Sequence, residues 1–315
     1  MKKTISIIIC LLMLCLMFGC TVKPKNEDAC LNIVCTIFPP YDFSTIVGGE
    51  HVSVTQLLPA GAESHSYEPS AKDIIAVQDC DLFIYVGGVN DLWASDILDS
   101  MGDNAPRTLA LLDCVEVVPE QIVEGMESEE EEHGEQGDVE MDEHVWTDPN
   151  NAIAIVRAIE KEFSELDAEH SSDFEAAADE YVVKLQQLDA GFRELMATAT
   201  RKTIVIGDRF PFRYLARAYG LEYYAAFPGC STEVEPSVST VAFLIDKVES
   251  ENIPVVFYIE FSNQKIANTI AEPTGAKTLL LHSCHNISKT EREAGTSYLS
   301  LMEQNLANLK EALLP

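Results

Sequence analysis

The chain has 315 residues, of which 52 are acidic and 21 basic, and its formal net charge is −31. That excess of carboxylates excludes nucleic acid as a partner, since phosphate contacts need clustered Lys and Arg, and it favours cations. The length suffices for two domains with buried cores.

Lys2 and Lys3, an apolar stretch from Ile5 to Phe18, and then Gly19-Cys20 read as a signal peptide over 1–20 with lipoprotein-type processing and lipidation of Cys20. The stretch is about 14 residues long, short of the roughly 20 that span a bilayer, and no second such run follows. Loss of Lys2 and Lys3 with the leader takes the charge from −31 to −33. Residues 21–29 are polar and suit a tether. The expected location is outside the cell, lipid-anchored at the outer face of the membrane. Cys30, Cys35, Cys80, Cys114, Cys230 and Cys284 remain after Cys20; disulfides and free buried thiols are both open readings, and without a CxxC pair a four-cysteine zinc site is not expected.

In 30–165, LNIVCTIF, VSVTQLLP, LFIYVGG and VEVVP are short β-rich runs, interleaved with PSAKDIIAVQD and NDLWASDIL, whose apolar spacing suits helices. The stretch 200–315 repeats the theme with KTIVIGD, LEYYAAF, VVFYIE and KTLLLHS, separated by PFRYLARAYG, PSVSTVAFLIDKVESEN and NQKIANTIAEPTG. Such alternation predicts an α/β fold of two similar lobes with central, parallel β-sheets flanked by helices. Between them, over 166–199, Phe174, Ala178, Tyr181, Leu185, Leu188, Phe192 and Leu195 recur at spacings of four and three, with Ser172 and Glu175 as a capping box. This predicts one helix of about 25 residues, roughly 40 Å long at ~1.5 Å per residue. A coiled-coil seam is the competing reading, but flanking α/β segments favour packing onto the protein's own lobes and a monomer.

The segment 124–143 holds eleven carboxylates, His133 and no Lys or Arg. Its charges repel and it has little to bury, so it reads as a disordered acidic loop, either merely solvated or a weak collector of cations.

Three histidines stand in turn-like contexts: His65 in PAGAESHSYEPS, His144 in DEHVWTDPN and His282 at the end of KTLLLHSCH. Any one alone reads as an ordinary surface or core histidine; three imidazoles at the ends of rigid elements are what a metal site would use.

The motifs PAGAESHSYEPSAKD, DEHVWTDPNNA, YLARAYGL and AGTSYLSLMEQNL, in that order, resemble those of the metal-specific solute-binding proteins of ABC transporters, the cluster A-I zinc and manganese group, from about Ile33 to the C-terminus. The resemblance implies a rigid helix joining the lobes, His65, His144 and His282 as ligands, and a cognate ABC permease with its ATPase as partners. The family offers a His or Glu shortly before YGL and an Asp at the end of the last strand. Here the first region reads GDRFPFRYLARAYGL and the last strand ends in His282. Asp208 is the expected fourth ligand, although direct alignment puts Arg209 there and Arg cannot ligate a cation; Glu260 and His285 are the alternates. Three imidazoles and a carboxylate suit Zn²⁺, with Mn²⁺ the alternative cargo. Glu68 and Asp148 are candidates to orient the imidazoles, or else cap and turn residues. No HExxH or comparable spacing supports a zinc hydrolase. A lipid-anchored adhesin or a metal buffer is the reading from a different class.

Overall fold

The computed structural model describes residues 30–63, 67–126, 140–231 and 235–314. The leader, Cys20, the tether, His65 and most of the acidic segment, His133 included, lie outside the described residues. From Leu31 onward the chain forms one compact unit.

Its first sheet consists of β1 (Leu31–Cys35), β2 (Val52–Gln56), β3 (Leu82–Tyr85) and β4 (Arg107–Ala110), all parallel in the order β2-β1-β3-β4. The second, β5 (Thr203–Phe210), β6 (Glu222–Pro228), β7 (Val255–Tyr258) and β8 (Lys277–Leu280), has the same order, β6-β5-β7-β8, and is again parallel. Parallel strands need crossovers that cover both faces of the sheet. In the first half these include α1 (Phe38–Gly48), α2 (Ala71–Gln78) and α3 (Leu92–Met101). In the second half they are α6 (Arg213–Tyr219), α7 (Val238–Ser250) and α8 (Lys265–Thr274).

The helices that join the halves are α4 (Pro149–Leu166) and α5 (Ser171–Thr198). All seven residues of the four-and-three pattern are buried on α5, and they share one core with Ile33 of β1, Ile206 of β5 and Phe257 of β7. The long helix therefore belongs to both lobes at once. The C-terminal α10 (Tyr298–Leu313), which follows the short α9 (Lys289–Glu293), packs on α5 as well.

Two local expectations need correction. VEVVP is not a strand; β4 is the more polar RTLA, and Val118 instead receives its hydrogen bonds from outside the sheet. Its N–H donates to the Tyr214 hydroxyl at 3.2 Å and its carbonyl accepts the Asp142 N–H at 3.0 Å. The Ser172–Glu175 capping box is also absent, because α5 starts at Ser171 with His170 as an N-cap that lends no side-chain bond. FPPYDFSTIVG forms α1, whose prolines in the first helical turn forgo only N–H groups that have no partner there. Cys35, Cys80, Cys114, Cys230 and Cys284 are free thiols.

Candidate metal site

In parallel sheets the loops beyond the carboxyl ends of the strands converge at the switch in strand order, and ligands bind there. Arg209 and Pro211 at the end of β5, Glu260 and Phe261 after β7, and Ser283, His285 and Asn286 after β8 line one small cavity. Ala62, Glu63 and His144 complete the lining from the first half of the chain.

His144 is held by its own neighbourhood. The Asp142 carboxylate accepts the His144 N–H at 2.8 Å, and the same Oδ1 lies 3.3 Å from the ring Nδ1. An Nδ1 proton shared with a carboxylate leaves Nε2 unprotonated, the state a metal requires. Burial disfavours the charged ring, but Asp142 first, then Glu143 and Glu120, outweigh it, and the His144 pKa stands above its usual value. Beneath the ring, Gly229 leaves no space: a Cβ there would lie 2.8 Å from the Phe210 carbonyl and 3.2 Å from Asp142 Oδ2. Removing the Asp142 charge by Asp142→Asn is expected to lower zinc affinity by roughly 10–100-fold, the size typical of an orienting partner; calorimetry checks this, and an unchanged affinity would contradict the role.

Trp146 ties His144 to the opposite wall. Its Nε1 donates to the Ser283 carbonyl at 2.7 Å, and its own carbonyl accepts from the buried Tyr298 hydroxyl at 2.5 Å. The His285 ring meets Trp146 edge-on at 5.1 Å and His144 at 5.7 Å between centroids. Two imidazoles from different halves thus stand against one indole. The Glu260 carboxylate accepts the Ser283 N–H at 2.8 Å and also the Ser283 hydroxyl, which fixes one more oxygen donor at the cavity wall.

The other candidates are placed differently. His282 is buried outside the cavity lining. Its Nδ1 accepts the Cys284 N–H at 2.9 Å, and its Nε2 makes no hydrogen bond and stands 3.8 Å from Glu291. Asn305 clamps its backbone, accepting the N–H at 2.8 Å and donating to the carbonyl at 2.7 Å. Cys284 then takes a left-handed φ of 62°, which turns the chain so that His285, and not His282, reaches the cavity. Asp208 is likewise absent from the lining. Its carboxylate accepts the Arg209 N–H at 2.9 Å and the Ser262 hydroxyl, and burial raises its pKa against those bonds. Arg209 lines the cavity instead, with its guanidinium 3.2 Å from Glu63. Asp148 caps α4 through the Asn150 N–H at 2.8 Å, and Glu68 is exposed. Among the described residues no three His, Cys, Asp or Glu side chains form a group that holds a metal by themselves. His65 lies outside the described residues, two positions beyond Glu63 in the chain.

Sequence reasoning passed over Asp142 and Trp146. The first was one more carboxylate of an acidic run, and only its position two residues before His144 sets it apart.

A family model described as "ZnuA: Zinc-uptake complex component A periplasmic" matches residues 33–312. The chain belongs to the ZnuA family. It is 34% identical over 312 residues to the zinc-binding lipoprotein AdcA of Streptococcus pneumoniae (strain ATCC BAA-255 / R6), an alignment that covers 98% of this chain. The chain spans 61% of the length of that relative. Against the high-affinity zinc uptake system protein ZnuA of Bacillus subtilis (strain 168) the identity is 33% over 290 residues, with 90% of this chain and 88% of that protein covered. The crystal structure of the Zn(II)-bound ZnuA-like domain of Streptococcus pneumoniae AdcA matches with a TM-score of 0.75 at 33% identity, over 90% of this chain and 99% of that domain. The two lobes and their joining helix are thus the architecture of this family, as the motif order implied.

Proposed function

We propose that the chain is a receptor that captures Zn²⁺ outside the cytoplasmic membrane and delivers it to an ABC permease driven by an ATPase, performing no chemistry on the ion. We assign the anchor to a lipid on Cys20, take the receptor to act as a monomer, and assign the zinc ligands to His65, His144, His285 and Glu260. The observation that carries the reading is the approach of His144 and His285 at one cavity that Glu260 also lines, in a chain of a zinc-uptake family. The motif reading favoured His282 and Asp208. Against them stand their absence from the cavity lining and, for His282, an Nδ1 occupied by the Cys284 N–H. Three imidazoles and one carboxylate suit tetrahedral zinc, whereas Mn²⁺ takes more oxygens and a higher coordination number.

Acidification tests the donor set. A protonated imidazole cannot ligate, so affinity is full above the histidine pKa values and falls as the pH drops through them. Because the His144 pKa stands above its usual value, its protonation starts at a higher pH than that of an unperturbed imidazole. The slope of log affinity against pH approaches three below about pH 6 for three histidine ligands, reference histidines titrating near 6.5. A slope near one, measured by calorimetry in a non-chelating buffer, would contradict a three-imidazole site.

The acidic segment is expected to contribute only weak extra binding, because hard carboxylate oxygens suit Zn²⁺ less than imidazole nitrogens do. Its ends are joined, the Glu120 N–H donating to the Glu140 carbonyl at 3.0 Å beside the Pro119–Met141 bridge. Replacing 127–139 by a short linker should therefore leave the tight site intact and lower only the stoichiometry at high zinc. A large fall in tight-site affinity would show that the segment itself supplies a ligand.

A further inference from the structure

The turn after β8 and the loop after β2 meet through one side chain. Asn286 is 2% exposed, and its amide spends its whole hydrogen-bonding capacity. Nδ2 donates to the carbonyls of Pro59 at 2.8 Å and Ala62 at 2.9 Å. Oδ1 accepts from Gln56 Nε2 at 3.0 Å and from the Ile287 N–H at 2.9 Å. The two carbonyls it holds belong to one turn, closed by the Ala62 N–H on the Pro59 carbonyl at 3.0 Å. Beside it the Gly61 N–H donates to the Ile287 carbonyl at 2.8 Å.

The position of this amide gives it a consequence for the cavity. Asn286 follows His285 directly, and both line the cavity opposite Ala62 and Glu63. One amide therefore fixes the distance between a wall built by the first half of the chain and a turn built by the second. An aspartate of the same shape would keep the two accepting roles, but it would set carboxylate oxygens against two carbonyl oxygens. Alanine would take the amide donor from the Ala62 carbonyl and leave the Pro59 carbonyl with the N–H of its own turn alone, a costly loss in a buried place.

We infer that Asn286 is a positioning residue that holds the Pro59–Glu63 wall against the His285 turn and so sets how slowly bound zinc escapes. The inference rests on the zinc reading above. Loosening one wall of a formed site acts chiefly on dissociation, since association is governed by encounter.

The test uses the full chain loaded with Zn²⁺ and mixed with a chromogenic chelator in a stopped-flow instrument. Asn286→Asp and Asn286→Ala are expected to release zinc roughly ten times faster, with association changed by less than about twofold. Gln56→Ala, which removes a donor that orients the amide and lies outside the cavity, is expected to shift release the same way by less. A merely structural role would reduce the fraction of chain that binds zinc and leave the release rate of the folded fraction unchanged. Unchanged release in the folded Asn286 variants would overturn the inference, and if those variants do not fold, unchanged release in Gln56→Ala does so. A wild-type chain that does not bind zinc tightly would overturn the zinc reading first, and this inference with it.

Discussion

Replacing His144 or His285 by alanine is expected to weaken zinc binding by well over ~100-fold, beyond the 10–100-fold range of a residue that only orients a ligand. Under the proposed ligand set each substitution removes one of four donors. His282 provides the internal control. Its Nδ1 accepts the Cys284 N–H in the way an asparagine Oδ1 accepts from two residues on, so His282→Asn should keep the turn and most of the affinity. His282→Ala should lose the turn and with it part of the affinity. Were His282 a ligand, both substitutions would weaken binding as strongly as His144→Ala. Calorimetry on the four variants separates the two cases.

Trp146→Ala is expected to cost about 3–5 kcal/mol of stability, the range for truncating a fully buried large aromatic. The indole is 0% exposed, packs against His144 and His285, and bonds the Ser283 carbonyl of the opposite wall. Its loss empties the centre of the contact between the halves and strands a buried carbonyl. Trp146→Phe keeps part of the packing and should cost less, about 1–3 kcal/mol, mostly for the unpaired Ser283 carbonyl. Urea unfolding of the metal-free chain measures both. If Trp146→Ala unfolds at the wild-type midpoint, the indole does not join the halves as described.

The fold was legible where one physical signal dominated. On α5 the four-and-three spacing could be satisfied only by a long helix with one buried stripe, and every residue of that stripe is buried. The strands of the second half were legible as continuous apolar runs, as parallel strands covered on both faces should be. VEVVP carries the same kind of run yet lies outside the sheet, because a tyrosine hydroxyl and a distant N–H satisfy Val118 instead. Composition does not encode such partners.

The site was legible as to its chemistry and only partly as to its atoms. Histidines beyond strand ends pointed to a metal, and the motif order pointed to a family. The choice between His282 and His285 depends on a left-handed Cys284 and on Asn305, whose side chain reaches His282 from 23 residues further along the chain. The choice between Asp208 and Arg209 depends on a register irregularity in β5 between Ile206 and Arg209. At Gly207 within it, a Cβ would lie 2.5 Å from the Ala267 Cα of α8. Each is set by tertiary packing, which neither periodicity nor motif spacing reports.

The most direct measurement is anomalous diffraction at the zinc edge from a crystal of the zinc-loaded chain. One peak is expected, about 2.0–2.1 Å from a ring nitrogen of each of His144 and His285 and about 2.0–2.2 Å from a Glu260 carboxylate oxygen. A peak bound by His282 or by Asp208 would contradict that ligand set.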